Sequence, residues 1–357
     1  MHTAQPALYE TPIELLRGEH LTPTPLLFVR NNTQPAAALT IKPLPLAGWK
    51  IELAGLVESP QTIDAASLAD MEHVEREMVL QCSGNGRSLF SQTSPVEGTP
   101  WGNGAMGNVR FTGVPLAKLL ERAGVRVQPA ATFVTAAGAD DPAPGTQDFE
   151  HSLPLAEALA RSLVAVAMNG QPLPGIHGGP VRLVTPGYYG TMHIKWLNRL
   201  SFDSGESMLN SHLRRYRTPL VPIKPGQPFE SNLTNSEANW RMRMKSVVLT
   251  PKAGAELPAG EIEVSGVAFN DGEARIDMLL VSPDAGQSWQ RAALRPPADP
   301  CAWYEWTTRV HLPRGKAQLW ARAIDALGRS QPFDGSIFWN PHGYTWNGVE
   351  KIDVTVV

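Results

Sequence analysis

Two stretches of the chain bring together residue types that can do chemistry. In Cys82-Ser83-Gly84-Asn85-Gly86-Arg87 a thiol stands where an apolar run, Met78 and Leu80, opens into a loop of small residues. Small residues let the backbone approach a large group closely, and a guanidinium five positions on favours the thiolate, the form that binds metal or attacks a substrate. An inert core thiol is the alternative, since free cysteine is among the most buried residue types. No local signature supplies the His base that a nucleophilic cysteine needs. Farther on, His177-Gly178-Gly179-Pro180-Val181-Arg182 and the run from Pro186 to Trp196, with His193 and Lys195, gather cations among glycines. Such a cradle suits a phosphate: Arg offers a planar fork, Lys a point charge, and glycines let backbone amides close on the oxygens. A solvated loop with ordinary charges is the alternative for any one of these residues, and it explains the cluster less well.

Other patterns carry less. Gly102, Gly104 and Gly107 fit GxGxxG, but no strand pattern precedes them and no helix pattern follows, so they read as loop glycines. Arg241, Arg243 and Lys245 alternate with Met242 and Met244, which places the three cations on one solvated or subunit-facing side of a strand. Cys82 and Cys301, the two cysteines, are 219 residues apart and make neither a CxxC site nor a haem attachment motif.

These residues need elements to hold them. With 357 residues, 42% of them hydrophobic, the chain is long enough for about two cores, and 32 prolines with 31 glycines disfavour long helices. An α+β plan follows. The first 49 residues are proline-rich and read as an extended arm. Strands are expected at 49–57, 77–82 and 163–168, with helices at 63–71, at Pro115 to Ala123 ending on Gly124, and at Pro154 to Arg161. Residues 219–239 have linker composition. Beyond them six short apolar runs, 242–249, 261–269, 274–282, 303–312, 317–324 and 352–357, separated by turn chemistry, predict a β-sandwich. The expected division is 1–225, a mixed α/β catalytic domain with its arm, and 226–357. A net charge of -3 argues against bulk nucleic-acid binding, and no apolar run is long enough for a membrane helix. The chain as written reads as cytoplasmic, or as periplasmic if it is a mature form whose leader was removed.

In order and spacing, the chain resembles the sulfite oxidase family of molybdenum enzymes. The segments that carry the resemblance are Phe28-Val29-Arg30-Asn31-Asn32, Cys82 to Arg87, Trp101, Met168 to Pro174, His177 to Arg182 and Pro186 to Leu197. It implies a molybdenum–molybdopterin cofactor without haem, an immunoglobulin-like C-terminal dimerisation domain and hence a homodimer. It also implies oxidation of sulfite to sulfate, with electrons passed to an external acceptor, a cytochrome or oxygen.

Residue by residue, the resemblance makes Cys82 the thiolate ligand of molybdenum, in line with the preference of soft sulfur for such metals. Asp140 (or its neighbour Asp141), His177, Arg182, His193, Ile194 and Lys195 match positions that hold the pterin and its phosphate, and Phe28 to Asn32 border it. Arg30 and Arg87 match arginines around an oxyanion substrate, Tyr216 the active-site tyrosine and Trp101 a wall of the pocket. A guanidinium at ~4 Å from an anion contributes on the order of 4 kcal/mol before desolvation, at an effective dielectric near 20. Two positions depart from the pattern. Asn32 stands where sulfite oxidisers often carry His, and His342 where typical members carry a substrate-binding Arg. A neutral His342 implies weaker sulfite binding, sensitive to pH between roughly 6 and 8. The alternatives are the same cofactor acting on another substrate, nitrate reductase-like or sulfur dehydrogenase-like, and a non-catalytic binding module.

Overall fold

The computed structural model describes residues 8–32, 42–140 and 149–357. The first half holds two five-stranded sheets. One runs in the order Gln171–Pro172, Leu163–Met168, Met106–Pro115, Val74–Gln81, with Arg182–Val184 also pairing onto Leu163–Met168. The other runs Gln61–Asp64, Lys50–Gly55, Leu197–Asp203, Phe133–Gly138, Glu150–Pro154. Its central pair, Lys50–Gly55 with Leu197–Asp203, is parallel and its other pairs are antiparallel.

Local sequence explains the helices between them. Leu116–Ala123 begins after Pro115, buries Leu116, Leu119 and Leu120 on one face, and ends on Gly124 at φ 67°, a left-handed cap that glycine adopts at no steric cost. Leu155–Arg161 repeats the device after Pro154, with Ala158 buried. These faces join Ile51, Leu53, Val134, Leu200 and Phe202 in one apolar cluster. The helix expected at 63–71 is split: Gln61–Asp64 is a strand, and only Ala65–Asp70 turns, as a 3-10 helix capped by the Asp64 carboxylate. Gly107 is not a loop glycine. It lies inside the strand Met106–Pro115, where a Cβ would sit 2.6 Å from Leu27.

The arm is less irregular than its prolines suggest. Leu8–Tyr9 pairs with Val29–Arg30, and the chain between them makes two 3-10 turns, Ile13–Leu16 and Thr24–Leu26. Segment 219–239 is also more ordered than its composition, because Ser236–Ala238 returns to pair with Arg217–Pro219.

The second half is a sandwich. A four-stranded sheet, Lys245–Thr250, Gly260–Phe269, Tyr304–Leu312, Ala293–Arg295, faces a five-stranded one, Glu256–Leu257, Glu350–Val356, Gly315–Asp325, Ile276–Ser282, Gln290–Arg291. Val264, Val310, Leu279, Leu319, Ala321 and Val354 from both sheets share one core. The alternation read from the sequence is the cause: in Glu350–Val356 every second residue is buried. The face expected to carry Arg241, Arg243 and Lys245 does not form, because the strand starts only at Lys245 and that side chain turns inward, 1% exposed, toward Glu350 and Glu10. Both cysteines are buried and unbridged. No helix among the described residues is long and apolar enough to cross a membrane.

Leu119, fully buried under the first sheet pair, should cost about 2–5 kcal/mol when cut to alanine. Urea unfolding followed by circular dichroism should show the transition at clearly lower denaturant for Leu119→Ala; an unchanged midpoint would mean that this helix does not anchor the core.

Candidate active site

The strand Val74–Gln81 ends where Cys82 begins a tight loop. The Cys82 amide donates to the Ala105 carbonyl at 2.9 Å, and its carbonyl accepts from the Asn85 amide at 2.9 Å. The sulfur accepts from the Gly84 amide at 3.4 Å and is 7% exposed, at the wall of two adjoining cavities.

The first cavity holds about 700 Å³ of space, its open mouth included. Phe28, Arg30, Asn31 and Asn32 enter it from the arm, Asp140 from the end of Phe133–Gly138, and His177, Arg182, His193, Ile194 and Lys195 from the glycine-rich loops. Every residue expected to hold a cofactor therefore borders it, except Asp141, which lies outside the described residues. Backbone anchors set the imidazoles: His177 Nε2 donates to the Thr24 carbonyl at 3.3 Å and His193 Nε2 to the Tyr188 carbonyl at 3.1 Å. Burial, reinforced by neighbouring cations, lowers both to about 3, so they are neutral at pH 7. Arg182 donates through Nη1 to the His177 carbonyl at 3.0 Å, and burial lowers it to about 9. Lys195 donates at 2.7 Å to Asn31 and to the Ile176 carbonyl, and burial with Arg182 and Arg30 nearby pushes it well down, against a smaller opposing pull from Asp140. Gly178 must be glycine, at φ 100° and with a Cβ that would meet Lys195 at 2.7 Å.

The second cavity, about 740 Å³ with its mouth, opens beside Cys82 and is walled by Arg87, Arg215, His342, Tyr344, Thr99 and Glu97, sharing Arg30, Cys82 and Tyr216 with the first. Arg87 is 7% exposed. Its Nε and Nη1 each donate at 2.8 Å, to the His342 and Thr99 carbonyls, and its guanidinium stands 5.3 Å over the Tyr344 ring. A Cβ at Gly84 or Gly98 would strike this guanidinium at 2.6 or 2.9 Å, so both glycines make room for it. Tyr216 Oη donates to Asn32 Oδ1 at 3.0 Å and accepts from Arg30 Nη2 at 3.3 Å. Arg30 also bonds Asn32 Oδ1 and the Asn31 carbonyl. Asn32, where a histidine was the family expectation, thus bridges the arginine and the tyrosine.

Two expectations need correction. Trp101 does not line either cavity; it is fully buried behind the Cys82 loop among Leu8, Leu27 and Phe28, and supports the wall from within. His342 does border the second cavity, 3.5 Å from Glu97, but burial, opposed by Glu97 and reinforced by Arg215 and Arg87, holds it below the usual 6.5. Its change of charge is therefore centred below that value. Arg215, Tyr344 and Glu97 went unread in the sequence. Arg215 adjoins Tyr216 and could have been suspected; Tyr344 and Glu97 sit in stretches with no chemical pattern of their own.

The residues fit a phosphate-bearing pterin with one sulfur ligand for its metal. Arg182 Nε and His193 Nδ1 are buried without hydrogen-bond partners, and Arg182 and Lys195 are desolvated cations, so the first cavity suits an anion with several acceptors. Among the described residues no group of three His, Cys, Asp or Glu could hold a metal by itself. Cys82 thus offers a metal one soft ligand, which is compatible with a cofactor that brings ligands of its own.

The comparisons with known proteins agree. Residues 39–210 match the oxidoreductase molybdopterin binding domain, and residues 236–356 the Mo-co oxidoreductase dimerisation domain. Rat mitochondrial sulfite oxidase is 31% identical across 100% of this chain and 65% of its own length, so the chain spans about two-thirds of that relative. Barley NAD(P)H nitrate reductase is 29% identical over 97% of this chain and 40% of its own. The crystal structure of the sulfane dehydrogenase SoxCD from Paracoccus pantotrophus superposes with a TM-score of 0.82 at 25% identity, covering 98% of this chain and 85% of that one. The fold, the anion-seeking cleft and these matches lead to one conclusion: the chain belongs to the sulfite oxidase family of molybdopterin oxidoreductases.

Proposed function

We propose that this protein oxidises sulfite to sulfate and hands the electrons to an external acceptor, a cytochrome or oxygen. The observation that carries the reading is the meeting of two differently built cavities at one sulfur. The first has the desolvated cations and orphaned donors that a pterin phosphate satisfies, and the second has guanidinium groups suited to a small oxyanion. Phe28, Asp140, His177, Arg182, His193 and Lys195 would hold the pterin and Cys82 the metal. When bound, the molybdenum centre supplies the two-electron couple and the oxygen-atom exchange.

The protein's own residues do the rest. Arg30, Arg87 and Arg215 draw an anion into a pocket whose buried wall strengthens each charge. The carbonyls of Thr99 and His342 hold the Arg87 fork in advance, so its orientation is settled before substrate arrives. Tyr216 Oη, now donating to Asn32, can turn its proton toward a substrate oxygen while Arg30 keeps the phenol in place. Neutral His342 lends the pocket no charge at pH 7.

A sulfane substrate, the kind that the Paracoccus neighbour's name describes, is the second reading. It is favoured by the continuation of the second cavity past Arg215 and His342 into a groove lined by Arg214, Phe229 and Glu230, wider than sulfite requires. Pairing of two chains through residues 236–356 completes the proposal, with residues 1–225 as the catalytic part.

Cys82→Ser should abolish metal retention and sulfite-dependent ferricyanide reduction while leaving the circular dichroism spectrum intact; full activity in that variant would end the molybdenum-ligand assignment. For His342→Arg the KM for sulfite should drop three- to tenfold, on the order of 1 kcal/mol for one added, partly screened charge. Because burial depresses His342, the parent enzyme should gain sulfite affinity only as pH falls below about 6.5. A KM that is the same in both proteins, and flat down to acid pH, would remove His342 from substrate binding. Analytical ultracentrifugation at micromolar concentration should find dimers, and a monomer would count against the pairing.

A further inference from the structure

Behind the Tyr216 ring runs a buried polar chain that the proposed reaction does not use. His151, on Glu150–Pro154, and His212, on the helical turn Asn210–Leu213, are 1% and 0% exposed, and their Nδ1 atoms are 3.0 Å apart. His212 Nε2 lies 2.7 Å from Glu206 Oε2, which also accepts from Arg217 Nη1 at 2.6 Å. Arg217, itself 1% exposed, donates from Nε and Nη2 to the hydroxyl and carbonyl of Ser236 at 3.0 and 2.8 Å. Burial raises the Glu206 carboxyl, but the bonds from His212 and Arg217 outweigh it and hold it at about 2, so it is ionised. A carboxylate only accepts, so His212 Nε2 carries a proton. The Nδ1–Nδ1 contact needs one further proton, held by one ring and accepted by the other, so the two imidazoles form a hydrogen-bonded pair while His212 Nε2–H donates to Glu206. Burial pushes His151 well below the usual range, which keeps it neutral.

The far end of this chain is the tyrosine. The His151 ring meets Tyr216 edge to face, with centroids 5.3 Å apart at 80°, and Phe149 meets it at 5.8 Å and 90°, while Tyr344 stacks on it at 5.0 Å. Tyr216 has φ 52°, a left-handed conformation that a bulky side chain keeps only where its surroundings impose it. Arg217, the next residue, is clamped by Glu206 and Ser236, and the Tyr216 carbonyl accepts from the Asn239 amide at 2.8 Å. Apolar rings at 151 and 212 would fill the same space without desolvating two imidazoles and a carboxylate. What histidine adds is a hydrogen bond that fixes the rotation of its ring.

We propose that Glu206, His212 and His151 are positioning residues for Tyr216, a role that rests on the reading of Tyr216 as a substrate contact. The carboxylate orients His212, His212 sets the plane of His151, and that plane holds the phenol at the junction of the two cavities. Removing the link frees the ring and misplaces its hydroxyl.

Two measurements on the cofactor-loaded protein test this. The first is fluorine NMR of protein labelled with 3-fluorotyrosine, the Tyr216 signal among six tyrosines being identified by its loss in Tyr216→Phe. His212→Ala should move or broaden that signal, and His151→Phe, which keeps the ring and deletes its nitrogen donors, should do the same if the alanine variant fails to fold. The second is a double-mutant cycle. His212→Ala should lower kcat/KM for sulfite about tenfold in the parent and less than twofold in a Tyr216→Phe background, with His151→Asn, which keeps a donor near the Nδ1 position, recovering only part. An unmoved fluorine signal, or an equal loss in both backgrounds, overturns the proposal. A moved signal in a protein that never turns over sulfite leaves the positioning role standing and removes sulfite as the substrate.

Discussion

The site depends on a desolvation imbalance. Arg182 is 3% exposed, its Nε has no partner, and burial lowers its pKa to about 9. Lys195 is pushed the same way. Removing a cation from water costs several kcal/mol unless an anion returns the interaction. His177 and His193 are kept neutral beside them, which avoids adding like charge to a pocket that already carries an excess. A chain that maintains such a cleft is built around an anionic ligand, and a phosphate-bearing pterin relieves the imbalance.

That cleft becomes an active site only where the two halves of the chain meet. Arg87 is held by the Thr99 carbonyl from the first half and the His342 carbonyl from the second. The Thr345 amide donates to the Ser83 carbonyl at 2.7 Å, immediately after Cys82, and Trp346 packs edge-on against Phe90 at 4.8 Å. Asn340 donates to the Arg217 carbonyl, and Asn103 to the Glu350 carboxylate. The segment preceding the last strand of the sandwich thus closes the second cavity beside Cys82, so the second half takes part in shaping the site. Damage to its core would reach the pocket through this segment.

Much of this was legible in the chain. Proline before and glycine after an apolar face marked Leu116–Ala123, because each restricts the backbone locally, and the period-two alternation of the second half marked its strands. Local signals failed where a long-range partner decided. Lys245 reads as a surface cation and is buried because Glu350 and Glu10 arrive beside it; Gly107 reads as a loop and is a strand residue because it pairs with Leu80, with Leu27 and Thr22 filling the space a side chain would need. Trp101 sits in a conspicuous motif but points into the core.

The sequence alone determined the inventory: a thiol in a small-residue loop, a set of cations among glycines, an arginine pair and a tyrosine, and the alternation that makes a sandwich. Only the tertiary structure decided which of them face the same space. Arg215, Tyr344 and Glu97 join Cys82 from segments with no pattern of their own, and His151 and His212, 61 residues apart, become a hydrogen-bonded pair. The physical reason is that charge, hydrogen-bonding capacity and apolar period belong to residues and their near neighbours. Burial, pKa and cavity walls belong to contacts between distant segments, and those exist only once the chain has closed on itself.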